Sequence, residues 1–317
     1  DEHAVEGWDD LDFTDPVPDP QALKLADVQT RRLANHLALS WVGEMNARHD
    51  RTYSAAFWRR ILILWMVAAT QTTWRCYRNL ELLIERYGSE SLTVRVLNED
   101  PAWPIRNLSD FMNLLTFGGH YTFWLSSLLL REIAPKNWTL EPVSREVETS
   151  GGEAEAIDDS PAVDSRNPLR AFIGRLGFDH VHGTKYSRLF FALLINLLPR
   201  RPAMGKVFKA DDAIIGDFPE TYLKSLNHVL EATLPSTYGD DFAALEKQAA
   251  NLSYSPGRLT ITHAASTDTL NSLINAMAVE HGERVVGFQH GGWYGTMLAE
   301  SWSSESEYIY HAFLSWG

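Results

Sequence analysis

The sequence has 317 residues, 22% of them charged, with a formal net charge of −13 and a single cysteine, Cys76. The length is consistent with two domains, and one cysteine excludes an intrachain disulfide and indicates a reducing compartment. The acidic balance argues against nonspecific nucleic-acid binding, because a phosphate backbone is held by surplus lysine and arginine.

The first segment, residues 1–21, is acidic and rich in proline, which predicts an extended stretch without regular structure. Residues 22–45 are a predicted helix, because large apolar side chains recur at every fourth position from Leu33 to Met45.

A second, longer helix is predicted from an N-cap at Ser54 to a stop at Gly88. Its centre, residues 57–69, is apolar almost all round and should be buried. Arg59 lies within that apolar stretch and therefore needs a partner or a route to water. The run is far shorter than the ~20 residues that a bilayer crossing needs, so we predict no membrane span.

The next predicted elements are a strand at residues 92–97 and a helix capped by Ser109 that ends at Phe117. The glycines after Phe117 break this helix, and a helical pattern resumes over residues 121–133.

Residues 143–167 are acidic and small, which predicts a loop inserted in the first domain. The apolar run 186–198 fits a buried helix or a buried strand equally well. His180 and His182 lack nearby carboxylate or cysteine support, so we predict no metal site.

Two more helices are predicted, over residues 219–233 and 242–252. Residues 259–262 then read as a strand and residues 284–288 as a second, mostly apolar strand. Between them an apolar helical face, followed by Gly282 as the stop, completes a βαβ unit; that face consists of Leu270, Leu273, Ile274, Met277 and Ala278.

Polar residues follow both strands of this βαβ unit. His263 and Ser266 come after the first strand, and Gln289, His290, Gly291, Gly292, Tyr294 and Gly295 come after the second. Ligands of parallel sheets bind outside the carboxyl ends of the strands. Paired glycines permit close backbone approach, and exposed N–H groups favour anions. These residues are therefore the predicted site; a plain turn with a histidine satisfied by the core is the alternative.

Two sequence blocks resemble a known family. One is QHGGWYG, with Glu300 shortly downstream and FLSWG at the end; the other is GEMNARHDRTYSAAFWRRILILWM, with Trp-Asp-Asp at residues 8–10 upstream. Both are similar to the surface-polysaccharide (O-antigen) biosynthesis transferases of bacteria, which resemble GT-B-type glycosyltransferases.

The resemblance implies an α/β fold in two parts. A helix-rich, Rossmann-like N-terminal domain would occupy residues 22–255, and residues 256–317 would begin a second, parallel βαβ domain. The chain would then be a truncated GT-B-like protein that naturally extends beyond both ends.

Carried over to this sequence, the resemblance implies His290 and Glu300 as catalytic residues. It adds Asn46 and His49 as further binding candidates beside the predicted site. The implied reaction moves a sugar from a nucleotide-activated donor to a surface glycan. The nucleotide sugar would be a co-substrate, with no metal or other cofactor.

The implied partners are a nucleotide sugar and a glycan acceptor, with no nucleic acid. The implied location is the cytoplasm, with peripheral association at the inner membrane, and the oligomeric state stays open.

Two other functions remain possible from the sequence. One is a non-catalytic carbohydrate-binding or scaffold module, since the chain has 11 tryptophans. The other is a hydrolase using Ser266 with His263 or His290, although no G-x-S-x-G elbow is present.

Overall fold

A computed structural model of the chain describes residues 19–98, 101–143, 210–252, 259–263, 269–288, 305 and 312–314. The described part is α/β and rich in helix, with small parallel sheets. Its longer elements, in chain order, are α1 Pro20–Ser40, α2 Val42–His49, α3 Ala55–Tyr87, β1 Thr93–Leu97, α4 Leu108–Phe117, α5 Gly119–Ile133, β2 Thr139–Val143, α6 Glu220–Ala232, α7 Phe242–Leu252, β3 Leu259–His263, α8 Thr269–Glu280, β4 Arg284–Phe288 and β5 Ala312–Leu314.

Helix α3 is the centre of the fold, and its apolar middle is buried as the sequence predicts. The Ser54 hydroxyl accepts a hydrogen bond from the Phe57 amide at 3.3 Å, and the helix ends at Gly88. Every residue from Phe57 to Thr70, except Arg60, is buried. Helices α1, α5, α6 and α8 pack against α3, and the large apolar residues of all five form one continuous core.

The first predicted helix differs from expectation in two ways. It breaks at Trp41, which separates α1 from α2, and it continues past Met45 to His49. Asp50 then adopts a left-handed conformation with φ of 52°, and its amide donates to the carbonyl of Ala47. This backbone turn ends α2 after His49, whereas the apolar periodicity that gave the predicted end stops four residues earlier, at Met45.

The helix after β1 also begins differently. Asn107, and not Ser109, is its N-cap, because the Asn107 side chain accepts from the Asp110 amide at 2.9 Å. Helix α5 starts at Gly119, two residues before the predicted start at 121. The break at Gly118 is confirmed.

Strand β2 has no counterpart in the sequence prediction. It pairs in parallel with β1, from Thr93 opposite Thr139 to Leu97 opposite Val143. Pro142 lacks an amide hydrogen, so it fits only a position where no ladder bond is donated. Val143, the first residue of the predicted acidic loop, is the last residue of this strand.

The predicted βαβ unit is confirmed. Strands β3 and β4 pair in parallel, and α8 joins them. The predicted face of α8 is buried at Leu273, Ile274, Met277 and Ala278, while Leu270 packs partly buried against the same core. Gly282 has φ of +73°, the left-handed conformation expected of a residue that stops a helix. Strand β5 adds a third parallel strand beside β4.

Other sequence predictions fall outside the described residues. They concern the extended segment up to residue 18, the acidic loop after residue 143, the run 186–198 and the domain boundary near residue 256. Among the described helices, none combines the length and hydrophobicity that a bilayer crossing requires.

Candidate functional site

The carboxyl ends of three strands lie at one edge of the second sheet. His263 ends β3, Phe288 ends β4 and Leu314 ends β5, and these residues are register partners across the sheet. The chain segment with Ser266 follows directly after β3, and the segment from Gln289 to Gly295 follows directly after β4. The topology therefore agrees with the premise that adjacent parallel strands lead into both segments from the same edge.

Most of the predicted site residues lie outside the described part of the chain, and their roles stay predictions. They are Ser266, Gln289, His290, Gly291, Gly292, Tyr294, Gly295 and Glu300. For His263 the structure gives the backbone position at the end of β3.

Helix α8 begins at this same edge of the sheet. Its first residue, Thr269, is 7% exposed, and the Thr269 hydroxyl makes no hydrogen bond of regular geometry within the described residues. A helix N-terminus presents unbonded amides and the positive end of the helix dipole. Thr269 is not among the site residues predicted from the sequence, although a threonine at a βα junction is a recognisable signal.

Asn46, from the other block of the resemblance, organises its own loop. The Asn46 Oδ1 accepts from the Tyr53 amide at 3.0 Å and from the Trp58 indole at 2.7 Å, and the Asn46 Nδ2 donates to the Tyr53 carbonyl at 2.9 Å. These three bonds fix the turn between α2 and α3. The described contacts of Asn46 are thus internal, and its predicted part in binding is not tested by them.

His49 is packed between aromatic rings. It stacks on Trp58 with ring centroids 5.6 Å apart and contacts Phe242 at 4.4 Å. The His49 Nε2 lies 2.9 Å from the carbonyl of Tyr238, so Nε2 carries a proton and donates it. Burial lowers the pKa of His49, which favours the neutral ring with Nδ1 unprotonated.

Beside His49, Arg51 forms a two-pronged ion pair with Glu246 of α7. The Arg51 Nε and Nη2 donate to the two carboxylate oxygens at 2.8 and 2.6 Å, and the Tyr53 hydroxyl donates to the same carboxylate at 2.6 Å. The Arg51 guanidinium lowers the pKa of Glu246. Burial, followed by the bond to Glu246, raises the pKa of Tyr53 to about 12.

The loop that carries Asn46 and His49 is linked to the far end of α8. The Ser54 hydroxyl donates to Glu280 at 2.5 Å, and the Ser54 amide donates to the same carboxylate. Glu280 is the last residue of α8, roughly 16 Å along the helix axis from Thr269. Ser54 therefore contacts the last residue of α8, whereas the first residue of α8 lies at the sheet edge where β3 and β4 end.

A further ionic cluster was missed by the sequence analysis. The buried Arg59 donates from Nη2 to Glu305 and from Nε to the Asn35 side chain at 2.7 Å, while Arg31 lies 3.7 Å from the other Glu305 oxygen. Burial lowers the pKa of Arg59 to about 10, and the charge of Glu305 opposes that shift. The sequence signalled only that Arg59 needs a partner.

Within the described ranges, no group of three or more histidine, cysteine, aspartate or glutamate residues could hold a metal ion. Comparison with protein families gives a match over residues 2–317 to the family described as LIC12162 family transferase. Searches of curated proteins and of solved structures gave no significant match.

Proposed function

We propose, from the premise that this chain belongs to the LIC12162 family of transferases, that it transfers a sugar from a nucleotide-activated donor to a surface-polysaccharide acceptor. The family match supports group transfer. The sugar, the nucleotide and the glycan are our proposal.

One observation carries the proposal. Strands β3 and β4 are parallel neighbours, and each leads into a segment with hydrogen-bonding side chains at the same sheet edge. Such an edge is where nucleotide ligands bind in open α/β sheets. A GT-B-like architecture, with a second domain that begins at this βαβ unit, is part of the proposal.

In this mechanism the amides of the Gly291–Gly292 segment bind the diphosphate, and His290 either donates to the leaving phosphate or removes the proton of the acceptor hydroxyl. Glu300 orients His290 or binds a sugar hydroxyl. His263, Ser266, Gln289, Tyr294 and Gly295 contribute to donor binding, with Asn46 and His49 as further binding candidates. The nucleotide sugar is the co-substrate and no metal is required.

The proposed acceptor is a growing O-antigen or capsule-type glycan. For such an acceptor we propose that the enzyme acts in the cytoplasm, at the face of the inner membrane. This location follows from the proposed acceptor.

The experiment incubates the protein with a panel of nucleotide sugars and glycan acceptors and identifies the nucleotide released. We expect a nucleoside diphosphate with one sugar donor, and thermal stabilisation of the protein by that donor. His290→Ala should abolish release. His281→Ala is the control, because His281 lies next to the amino end of β4, at the opposite edge of the sheet.

Three outcomes would reject the proposal. Release of a nucleoside monophosphate from a nucleoside-diphosphate sugar would mean that a sugar phosphate is transferred. Glycan binding without any nucleotide-dependent product would favour the non-catalytic module. Full activity of the His290→Ala protein would remove His290 from the mechanism.

A further inference from the structure

The corner between α4 and α5 exposes large apolar side chains. Phe117, the last residue of α4, is 82% exposed, and Phe123, in the first turns of α5, is 38% exposed. The residues between and beside them, Thr116, Gly119, His120 and Thr122, are also exposed. An exposed phenylalanine at this level has no role in the core, whose rings in this region are Phe111, Tyr121 and Trp124.

This corner is also free of charge. Residues 111–130 contain no aspartate, glutamate, lysine or arginine, whereas 22% of the whole chain is charged. The charged residues nearest in sequence are Asp110 and Arg131, each about 10 Å or more along its helix from the exposed rings. His120 is the one ionisable side chain other than tyrosine in the stretch.

We propose that the α4–α5 corner, with Phe117 at its tip, inserts into the interfacial region of a lipid bilayer. The corner is the junction of two helices at Gly118, and it presents exposed side chains from both of them. Aromatic rings bracketed by hydroxyl-bearing and histidine side chains suit the boundary between headgroups and acyl chains. The absence of charge permits shallow insertion without desolvating an ion.

The same observation sets the lipid preference. Binding through a charge-free corner needs no anionic headgroup, and the net charge of −13 gives no general attraction to an anionic surface. We therefore expect binding to phosphatidylcholine vesicles to be at least as strong as binding to vesicles with phosphatidylglycerol as about a third of the lipid. Raising the salt concentration should not weaken it.

The first test measures cosedimentation of the protein with phosphatidylcholine vesicles. Phe117→Ser should weaken partitioning about tenfold, because the transfer of one aromatic side chain is lost. Phe117→Trp should retain it. Leu25→Ser is the matched control, since Leu25 is 58% exposed on α1, and it should leave partitioning unchanged.

The second test places a probe at the corner. Cys76 is buried, so a cysteine introduced by Phe117→Cys can be labelled selectively with an environment-sensitive dye. Vesicles should increase and blue-shift the emission of the dye at position 117, but not that of the same dye introduced by Leu25→Cys.

Other occupants of the corner would give different results, each of which overturns the proposal. Self-association lost in Phe117→Ser, without vesicle binding by the parent protein, would mean that a second copy covers the corner. A large fall in melting temperature in Phe117→Ser, again without vesicle binding, would mean that another part of this chain covers it. The test does not depend on the proposed sugar transfer, because the readout is lipid binding alone.

Discussion

Arg51 lies in the turn before α3 and Arg59 lies within α3, and each pairs with a glutamate from the last third of the chain. Arg51 meets Glu246 at the surface, where the arginine side chain is 37% exposed. Arg59 meets Glu305 in the interior, where the arginine side chain is 3% exposed. The two pairs have the same chemistry and differ in their access to water.

Because of that difference, the pKa shifts of the two arginines have opposite directions. Hydrogen bonding to Glu246 raises the pKa of Arg51, whereas burial lowers the pKa of Arg59 to about 10 in spite of Glu305. Desolvation thus outweighs pairing in the interior, and pairing outweighs desolvation at the surface. Removing one partner of a buried pair therefore costs far more stability than the intact pair contributes to the fold.

The largest expected effect comes from breaking the buried pair. Glu305→Ala should lower the free energy of unfolding by about 3–5 kcal/mol, because Arg59 keeps its charge in the interior without its carboxylate partner. Urea denaturation of both proteins measures this loss. A loss close to that of Glu246→Ala would show that water reaches Arg59 and would remove the contrast between the pairs.

Removing both charges of the buried pair should be less harmful than the two single losses combined. In a double-mutant cycle with Arg59→Met and Glu305→Met, we expect a coupling free energy of roughly 1–3 kcal/mol. Equilibrium unfolding of the four proteins gives this value. Strict additivity would contradict a direct interaction.

The surface pair should respond more weakly. Glu246→Gln keeps the shape of the side chain, and solvent can take the place of its charge, so the loss of stability should be roughly a quarter of that of Glu305→Ala. Tyr53→Phe removes one bond to the same carboxylate and should cost less still. Thermal unfolding at low and high salt tests this prediction, because only the surface pair should be weakened by salt.

The smallest expected effect is a dependence on pH near the surface pair. The pKa of His49 is lowered in the folded protein, so between that value and about 6.5 the unfolded chain binds more protons and stability falls with acidification. The pKa of Glu246 is also lowered, which adds a second loss as the pH falls below about 4.5.

His49→Gln identifies the origin of the first step. This variant should flatten the fall in stability that begins below about pH 6.5 and leave the more acidic step in place. Melting temperatures over this range, with His281→Gln as the control, measure the change. An unchanged pH profile would assign the step to another group.

Local signals explain what the sequence predicted well. The Ser54 cap, the Gly88 end and the left-handed Gly282 each depend on a few neighbouring residues, and α3 and α8 were predicted from them. The parallel order of β3 and β4 followed from the length of the helix between them. These features also define the sheet edge on which the proposed site depends.

The misses have a common physical reason. Strand β2 is held by its pairing with β1 and by the Leu92 carbonyl, which accepts from the Thr139 amide, and its own residues are mostly exposed. Asn107, and not Ser109, is the N-cap of α4 because the extended backbone before the helix ends at Asn107. The Arg59–Glu305 pair joins residues 246 positions apart, so no pattern within either segment reveals it.

The position of α8 has a consequence for a severed chain. Its apolar face is in the core that α3 organises, and its last residue accepts bonds from Ser54 at the start of that helix. A polypeptide cut between α7 and β3 should therefore remain associated as two non-covalently bound pieces. When the two pieces are expressed separately, they should reassociate, because neither piece alone can bury its part of the shared apolar surface.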